Sequence, residues 1–312
     1  MTDPGLRPHL LLVTPVPLKL RERLSQNFVL HDDAALDPGQ RLTLAAKVRA
    51  MLCNAQSAVS RLQMQQWPAL EMISVIGVGM DGIDLKAAAA QGIAVRNTPD
   101  VSTEDIADHT LALLLTATRQ IVQAHQFVQQ GHWLQGRYPP GMRFSGRCMG
   151  IVGLGRIGSA VARRAQAFDM SIAYTGRTPK PDIKYRWYDS VQELAAAVDF
   201  LVVCASGGSQ TQGLIDASVL QALGPQGVIV NIGRGSIVDE AALVQALQSR
   251  TIAYAALDVF VNEPEVSPAL RELPNIVLTP HMASATQQGL QAMLEQAQTH
   301  LLEHFGMTDA TD

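Results

Sequence analysis

The stretch "CMGIVGLGRIGSAVARRAQAF" (residues 148–168) decides the fold that the rest of the chain must accommodate. It opens on an apolar run typical of a buried strand and closes on apolar residues at helical spacing. Three glycines separate the two segments: Gly153, Gly155 and Gly158. Glycines at this spacing allow a tight turn, close approach of the backbone to a pyrophosphate, and close packing of helix on strand. The stretch therefore predicts a Rossmann unit whose dinucleotide pyrophosphate binds to the backbone N–H groups of Arg156 and Ile157.

Further strands and helices extend in both directions from this unit. Short apolar runs rich in Val, Ile and Leu alternate with Ala-rich amphipathic stretches, which is typical of βαβ units and parallel sheets. Upstream, the runs "HLLLV", "AMLC", "LEMISVIG" and "GIAVRN" within residues 9–97 predict a small α/β domain. In the second half of the chain, strands are predicted near residues 149–153, 171–175, 199–204, 227–231, 252–257 and 276–279. A last helix from about residue 284 to 305 ends in a polar tail that we expect to fray.

Composition and charge argue against several kinds of partner. The chain has 312 residues, of which 47% are hydrophobic and 17% charged, as expected for a soluble globular protein of about two domains. Its net charge of −4 and the lack of a dense Lys/Arg cluster argue against nucleic acid or an anionic membrane as a partner. The run "HLLLVTPV" is too short to cross a membrane. Cys53, Cys148 and Cys204 lie in separate apolar neighbourhoods, which favours free thiols in a reducing cytoplasm.

Within residues 99–131 the sequence predicts one long helix. Ser102 and Asp105 have the spacing of a capping box at its start, and Gly131 is a typical helix terminator. The following segment, residues 131–147, has no clear period and is rich in Gly and Pro. It carries three aromatic residues: Trp133, Tyr138 and Phe144. Two interpretations remain open for them: an arm that contacts a second subunit, or a loop whose aromatics cover their own domain.

The residues after the second nucleotide-binding strand select the cofactor. An acidic side chain about 20 residues beyond the glycines would accept hydrogen bonds from the adenosine ribose and would repel a 2′-phosphate. This chain instead has Gly176, followed by Arg177, Thr178 and, slightly farther on, Lys180. A guanidinium and a hydroxyl in place of the carboxylate favour a phosphorylated ribose. We therefore predict NADP(H) as the preferred cofactor, with NAD(H) as the alternative if Arg177 only stacks on adenine.

Three later segments place chemically active side chains just beyond predicted strands. "VIVNIGRG" carries Arg234, "AYAALDVFVNEP" carries Asp258 and Glu263, and "IVLTPH" carries His281. Ligands of open parallel sheets bind at the carboxyl ends of the strands. There, Arg234 would pair with the carboxylate of a 2-keto acid and polarise its keto oxygen. His281, kept protonated by Glu263, would donate the proton as hydride arrives from the nicotinamide. Singly, each residue also has a structural interpretation, as a salt bridge, a turn residue or a packed histidine.

Over nearly its whole length the chain resembles the D-isomer-specific 2-hydroxyacid dehydrogenases. The resemblance rests on six segments in family order: "GVGMDGIDL" (77–85), "NTPDVSTEDIAD" (97–108), "GIVGLGRIG" (150–158), "NIGRGSIVDE" (231–240), "ALDVFVNEP" (256–264) and "TPHMASAT" (279–286). The "GRTP" after the second nucleotide-binding strand is most similar to the NADP-linked glyoxylate/hydroxypyruvate reductase branch, which includes hydroxyphenylpyruvate reductases. A departure is "CASGGSQTQGLID", in which Ser206, Gly207 and Gly208 stand where the family often has Pro-Leu-Thr.

The resemblance assigns roles to individual residues. It implies that Arg234, Glu263 and His281 are catalytic. It implies that the backbone of Val78 and Gly79, together with Arg234 and His281, binds the substrate. The implied cofactor contacts are Gly153, Gly155, Arg156, Ile157, Gly158, Gly176, Arg177, Thr178, Ala205, Ser206, Ile232 and Asp258, the last on the nicotinamide side.

The resemblance also implies an architecture of two Rossmann-like or flavodoxin-like parallel-sheet domains. The substrate domain would be formed from both termini, residues 1–98 and 284–312, and the NAD(P)-binding domain from residues 99–283. A homodimer built through the nucleotide-binding domain and a cleft that closes on substrate are further expectations.

The sequence thus predicts an oxidoreductase that reduces a small 2-keto acid, such as glyoxylate or hydroxypyruvate, to the D-2-hydroxy acid with NADPH. Two alternatives remain open: a dinucleotide-sensing, corepressor-like binding protein, or a dehydrogenase for a larger acid such as 2-ketogluconate or hydroxyphenylpyruvate. The remaining histidines, including His109, His125 and His132, have no metal-like spacing. We expect them to be surface or packing residues, and we expect no metal site.

Overall fold

The computed structural model describes residues 7–308. The described chain divides into two compact units, residues 7–102 with 287–308, and residues 103–286. The end of the expected polar tail, from residue 309 on, lies outside the described residues. Among residues 7–308, no helix is both long and apolar enough to cross a membrane.

The first unit is built on a parallel sheet, which within the described residues has five strands. The strands are β1 (His9–Leu12), β2 (Val29–Asp32), β3 (Val48–Asn54), β4 (Met72–Ile76) and β5 (Ala94–Asn97). Their order, β2-β1-β3-β4-β5, is that of flavodoxin-like sheets. The connecting helices are α1 (Leu18–Asn27), α2 (Pro38–Leu44), α3 (Arg61–Gln65) and α4 (Leu85–Ala90). β1, β3 and β4 are buried almost throughout, which explains why these strands read as continuous apolar runs.

The sequence missed one strand of this sheet, β2. Its residues, "VLHD", are only partly buried because β2 is the edge strand beside β1. A short edge strand that ends in His31 and Asp32 carries neither an apolar run nor a clean alternation. Its pairing with β1 is therefore decided by tertiary structure.

The second unit is also a doubly wound parallel sheet. Its strands are β6 (Cys148–Val152), β7 (Ser171–Thr175), β8 (Arg186–Trp187), β9 (Phe200–Val203), β10 (Val228–Asn231), β11 (Tyr254–Leu257) and β12 (Ile276–Leu278). Their order is β12-β11-β10-β9-β6-β7-β8. The chain therefore winds outward from β6 in one direction and from β9 in the other, so that a topological switch point lies between these two strands. The structure confirms the predicted fold of two parallel-sheet α/β domains. The two-residue β8 was not predicted.

The helices of this unit are α5 (Thr103–Arg119), α6 (Ile121–Gln129), α7 (Arg156–Gln166), α8 (Val191–Ala196), α9 (Ala217–Leu223), α10 (Glu240–Gln248) and α11 (Pro268–Arg271). The chain then returns to the first unit as α12 (Gln287–His304). There the buried hydroxyl of Ser74 on β4 donates a hydrogen bond to the carbonyl of Ala297, 3.0 Å away. This contact joins the C-terminal part of the chain to the centre of the N-terminal sheet.

The prediction of one long capped helix is wrong in two respects. The helix is interrupted at Gln120, which has a left-handed φ of 50° and separates α5 from α6. The capping box is also absent. The carboxylate of Asp105 accepts a hydrogen bond from the hydroxyl of Thr286 at 2.9 Å, whereas the buried Ser102 hydroxyl finds no hydrogen-bond partner within residues 7–308. A partner 181 positions away in the sequence thus replaces the local capping contact.

Two of the three aromatic residues of the segment pack on their own unit. Phe144 is buried and packs edge to face on Phe168, at 4.9 Å between ring centroids, so it covers its own unit. Tyr138 packs edge to face on Phe127, and its hydroxyl donates to the side-chain oxygen of Gln120 at 3.0 Å. Trp133, in contrast, is 66% exposed. Its contact with a second subunit stays a prediction.

Candidate active site

The three glycines that follow β6 shape a nucleotide cradle. Gly153 has a φ of +92°, and a Cβ atom there would lie 2.8 Å from the backbone of Ala205. A Cβ at Gly158 would lie 2.5 Å from the carbonyl oxygen of Gly153, so only glycine allows α7 to pack this closely on the turn. At Gly155, by contrast, a Cβ would meet none of the described atoms within 4 Å. The backbone is therefore open at the N-terminus of α7, where Arg156 and Ile157 begin the helix, and these residues fit a dinucleotide pyrophosphate.

The predicted cofactor-selecting residues lie beside this cradle. The backbone N–H of Gly153 donates to the carbonyl of Thr175 at 3.0 Å, which joins the end of β7 to the glycine turn. Gly176, Arg177 and Thr178 follow immediately and are exposed. The Tyr174 hydroxyl accepts a hydrogen bond from the backbone N–H of Lys180 at 2.8 Å and so turns the segment back along the sheet.

Ala205, Ser206 and Ile232 lie on the other side of the switch point, just after β9 and β10. The N–H of Ile232 donates to the carbonyl of Val203 at 3.2 Å. The Ser206 carbonyl accepts from the hydroxyl of Thr211 at 2.8 Å, which closes the loop that departs from the family pattern. Each residue of this unit that is expected to contact the cofactor thus lies either just after a strand, at the carboxyl edge of one sheet, or at the start of α7. Their individual contacts stay predictions.

Arg234 is flanked by glycines because the backbone leaves no room for side chains there. A Cβ at Gly233 would lie 2.5 Å from the carbonyl oxygen of Ala205, and one at Gly235 would collide with the backbone of Phe260. Asn231, buried at the end of β10, fixes the turn by accepting from the N–H of Gly233 at 3.0 Å and donating to the carbonyl of Arg234 at 2.9 Å. The guanidinium of the half-buried Arg234 donates to the carbonyl of Gly233 at 2.7 Å.

His281 and Glu263 form the hydrogen-bonded pair that the sequence predicted. Nδ1 of His281 lies 2.6 Å from Oε2 of Glu263. The other carboxylate oxygen, Oε1, accepts from the backbone N–H of Phe260 at 2.9 Å, so the carboxylate is held on both sides. An ionised carboxylate only accepts hydrogen bonds, so Nδ1 carries a proton.

Asp258 is 1% exposed and is engaged within its own chain. It accepts from the Thr279 hydroxyl at 2.6 Å and from the backbone N–H groups of Met282 and Ala283, each at 2.9 Å. Burial raises the pKa of this carboxyl group. The hydrogen bonds from His109, Thr279 and the two backbone N–H groups outweigh burial, and the net pKa lies below the usual value. The contact of Asp258 with the nicotinamide side of the cofactor stays a prediction.

Sequence reasoning missed one hydrogen-bonded neighbour of this carboxylate. His109, expected to be a surface or packing residue, lies with Nε2 3.2 Å from the Thr279 hydroxyl and 3.5 Å from Oδ1 of Asp258. A histidine and a threonine 170 positions apart in the sequence give no local signal of this contact. Val78 and Gly79 belong to the other unit, and their role in binding the substrate carboxylate stays a prediction. Among residues 7–308, no group of three or more His, Cys, Asp or Glu side chains is placed to hold a metal ion.

Comparisons with known proteins identify the family of this site. A family model described as "D-isomer specific 2-hydroxyacid dehydrogenase, NAD binding domain" matches residues 111–283. Glyoxylate/hydroxypyruvate reductase A of Arabidopsis thaliana is 43% identical over 258 residues, which cover 83% of this chain and 82% of that protein. The chain belongs to the D-isomer-specific 2-hydroxyacid dehydrogenase family. It is an NAD(P)-dependent 2-keto acid reductase, as the sequence predicted.

Two further relatives cover almost the whole chain. Hydroxyphenylpyruvate reductase of Plectranthus scutellarioides is 40% identical over 298 residues, 95% of each protein. A crystal structure of an NADPH-dependent glyoxylate/hydroxypyruvate reductase from Sinorhizobium meliloti, in complex with NADP and malonate, superposes with a TM-score of 0.90. It is 42% identical and covers 96% of this chain and 94% of its own. These matches confirm that this dehydrogenase belongs to the predicted reductase branch of the family.

Proposed function

We propose that this dehydrogenase reduces glyoxylate or hydroxypyruvate to the corresponding D-2-hydroxy acid, with NADPH as its preferred reductant. The observation that carries the proposal is the hydrogen-bonded pair of His281 and Glu263 at the same sheet edge as Arg234 and the nucleotide cradle. Relatives named as glyoxylate/hydroxypyruvate reductases support the choice of substrate, and the neighbour in complex with NADP supports the choice of cofactor.

Each of these residues has one task in the proposed reaction. Arg234 pairs with the substrate carboxylate and draws electron density from the keto oxygen. Reduced nicotinamide, when bound, supplies the hydride to the keto carbon. His281 donates the proton from Nε2 to the keto oxygen, while Glu263 stabilises the imidazolium and orients the ring.

The test is NADPH and NADH oxidation by the purified protein with glyoxylate, hydroxypyruvate, 2-ketogluconate and hydroxyphenylpyruvate. The proposal expects the highest kcat/KM for glyoxylate or hydroxypyruvate. A clear preference for 2-ketogluconate or hydroxyphenylpyruvate would replace the substrate and keep the enzyme class. Tight cofactor binding without turnover of any of the four would favour the corepressor-like alternative.

Substitution of Arg177 is expected to remove the preference for NADPH. A charge-assisted hydrogen bond contributes about 1.5–3 kcal/mol, so Arg177→Ala should lower kcat/KM for NADPH by about 10- to 100-fold and change that for NADH little. Gly176→Asp should add activity with NADH, because a carboxylate there accepts from ribose hydroxyls and repels a phosphate. A Cβ at Gly176 meets none of the described atoms within 4 Å, so the position has room for the start of a side chain.

Arg177→Lys is the matched control, because it keeps the positive charge and should keep part of the preference. Steady-state kinetics with both cofactors give the measurement. Equal losses with NADPH and NADH in Arg177→Ala would instead indicate that this side chain only stacks on adenine.

We also propose that the enzyme is a homodimer through α6 and the short turn after it. This segment exposes five apolar side chains: Ile121, Val122, Val128, Trp133 and Leu134. Trp133 is 66% exposed and Leu134 95% exposed. Clustered exposed apolar and aromatic residues are typical of subunit interfaces.

The double substitution Trp133→Ala, Leu134→Ser is therefore expected to shift the protein from dimer to monomer. Size-exclusion chromatography with light scattering measures this shift. Leu62→Ser on α3, where the native leucine is 73% exposed, is the matched control and should leave the mass unchanged. A monomeric wild-type protein, or a double variant that stays dimeric, would contradict the proposed interface.

The cysteines support a cytoplasmic location. Cys53, Cys148 and Cys204 are all free thiols. Burial raises the pKa of Cys53 to about 12, which keeps this thiol protonated and unreactive. Free thiols are typical of reducing compartments.

A further inference from the structure

His109 on α5 belongs to a hydrogen-bond network that leads to the loop of His281. α5 packs against β11 and β12, the two strands that precede Asp258 and Thr279. The imidazole of His109 is 18% exposed, and its Nε2 lies 3.2 Å from the Thr279 hydroxyl and 3.5 Å from Oδ1 of Asp258. None of the predicted roles in catalysis or cofactor binding involves this histidine.

The direction of each hydrogen bond follows from donor and acceptor chemistry. Thr279 has one hydroxyl hydrogen, and it goes to Oδ1 of Asp258, 2.6 Å away. The threonine oxygen therefore accepts from His109, so Nε2 of His109 carries a hydrogen. The acceptor-only carboxylate of Asp258 also lies near this nitrogen, with Oδ1 at 3.5 Å. His109 is thus a donor that supports Asp258 through the Thr279 hydroxyl.

Asp258 in turn fixes the backbone on both sides of His281. Its carboxylate accepts from the N–H groups of Met282 and Ala283, and its carbonyl accepts from the N–H of His281 at 2.8 Å. His281 has a φ of 50°, a left-handed conformation that costs energy for a residue other than glycine. Such a conformation persists only where neighbouring contacts hold it. The network therefore maintains the position from which His281 acts.

We propose that His109 is a positioning residue for the reduction: through Thr279 and Asp258 it holds the strained backbone of His281, so that the imidazole stays aligned for proton transfer. The inference rests on the proposed role of His281 as proton donor. His109 itself does not touch the reacting atoms in this scheme. It acts on the chemical step and leaves the substrate-binding contacts of Arg234 in place.

The experiment compares His109→Phe, Thr279→Val and their double variant with the wild-type enzyme. Misplacement of a catalytic group by a fraction of an ångström to an ångström costs about 10- to 100-fold in rate. We expect each single variant to lower kcat by about 10-fold while the KM for the keto acid changes by less than about 3-fold. Because both residues act through one carboxylate, the double variant should be no slower than the slower single variant. The solvent isotope effect on kcat should rise in all three, since proton transfer becomes more rate-limiting.

Two further variants separate positioning from a general loss of structure. His109→Gln retains an N–H donor on a long side chain and should recover most of kcat. Thr110→Val is the matched control on the same helix. Among the hydrogen bonds of residues 7–308, the buried Thr110 hydroxyl donates only to the carbonyl of Ile106, at 2.7 Å. This variant loses a buried hydrogen bond of similar kind but leaves the contacts of Asp258 unchanged, so its kcat and isotope effect should match those of the wild type. Thermal melting reports the fold of every variant.

The outcomes distinguish this inference from the proposed function. A folded His109→Phe with wild-type kcat and isotope effect would overturn the role of His109, as would a double variant whose loss equals the product of the two single losses. If His109→Phe does not fold, the comparison is made with Thr279→Val alone, and a wild-type kcat and isotope effect in that variant overturn the proposal. If the wild-type enzyme reduces no keto acid, the proposed function fails and this inference fails with it.

Discussion

His281→Asn is expected to remove nearly all turnover while cofactor binding stays almost intact. A positioned proton donor contributes about 10²- to 10⁴-fold in rate, so kcat should fall by a factor in this range. Asparagine is the appropriate replacement because it adopts left-handed backbone conformations more readily than most residues, and His281 has a φ of 50°. The substitution therefore removes the imidazole without adding backbone strain. Steady-state kinetics with the best keto acid measure kcat, and quenching of protein fluorescence measures the Kd for NADPH.

Two controls sharpen this prediction. His125→Asn changes an exposed histidine on α6 and should leave kcat unchanged. Glu263→Gln keeps an acceptor for the Phe260 N–H but removes the charge that stabilises the imidazolium, so it should lower kcat less than His281→Asn does. Retention of full turnover by His281→Asn would show that another group donates the proton. Loss of NADPH binding together with turnover would show that the imidazole supports the cofactor site instead.

Arg234→Leu is expected to cause the second largest loss, and this loss should include substrate binding. Removing one partner of a desolvated charge pair typically costs about 2–5 kcal/mol, which corresponds to about 30- to several-thousand-fold in kcat/KM. In the proposed reaction Arg234 both binds the carboxylate and polarises the keto oxygen, so KM should rise and kcat should fall. His281→Asn, in contrast, should act mainly on kcat. The comparison of the two kinetic patterns separates binding from proton transfer.

Arg234→Lys is the matched variant for this prediction. Lysine keeps the charge but not the planar pair of donors, so it should recover only part of kcat/KM. Arg234 also donates to the carbonyl of Gly233, and a melting curve therefore accompanies the kinetics. A lower melting temperature with unchanged kcat/KM would assign Arg234 a structural role in the turn, and would leave carboxylate recognition to other groups.

The local chemistry of the chain was sufficient to predict the sheet edge and the polar side chains that follow its strands. Gly153, Gly155 and Gly158 follow a strand and precede a helix, and their steric roles depend only on that local geometry. Arg234, Glu263 and His281 were placed together because the carboxyl ends of parallel strands share one edge of a sheet. The structure confirms the hydrogen bond between His281 and Glu263 that this reasoning required.

Tertiary structure decided the features that depend on partners far away in the sequence. Asp105 bonds with Thr286 instead of capping its own helix, and the helix breaks at Gln120, where no glycine or proline marks the break. His109 reaches Thr279 across 170 positions, so that a residue with no motif of its own supports the buried Asp258. The sequence by itself thus determined which strands are followed by titratable side chains, because backbone periodicity and glycine sterics are local. Only the folded sheet decided which distant hydrogen-bond donors meet a buried carboxylate. A polar group that is removed from water needs hydrogen-bond partners from the protein, and the tertiary packing determines which donors lie close enough.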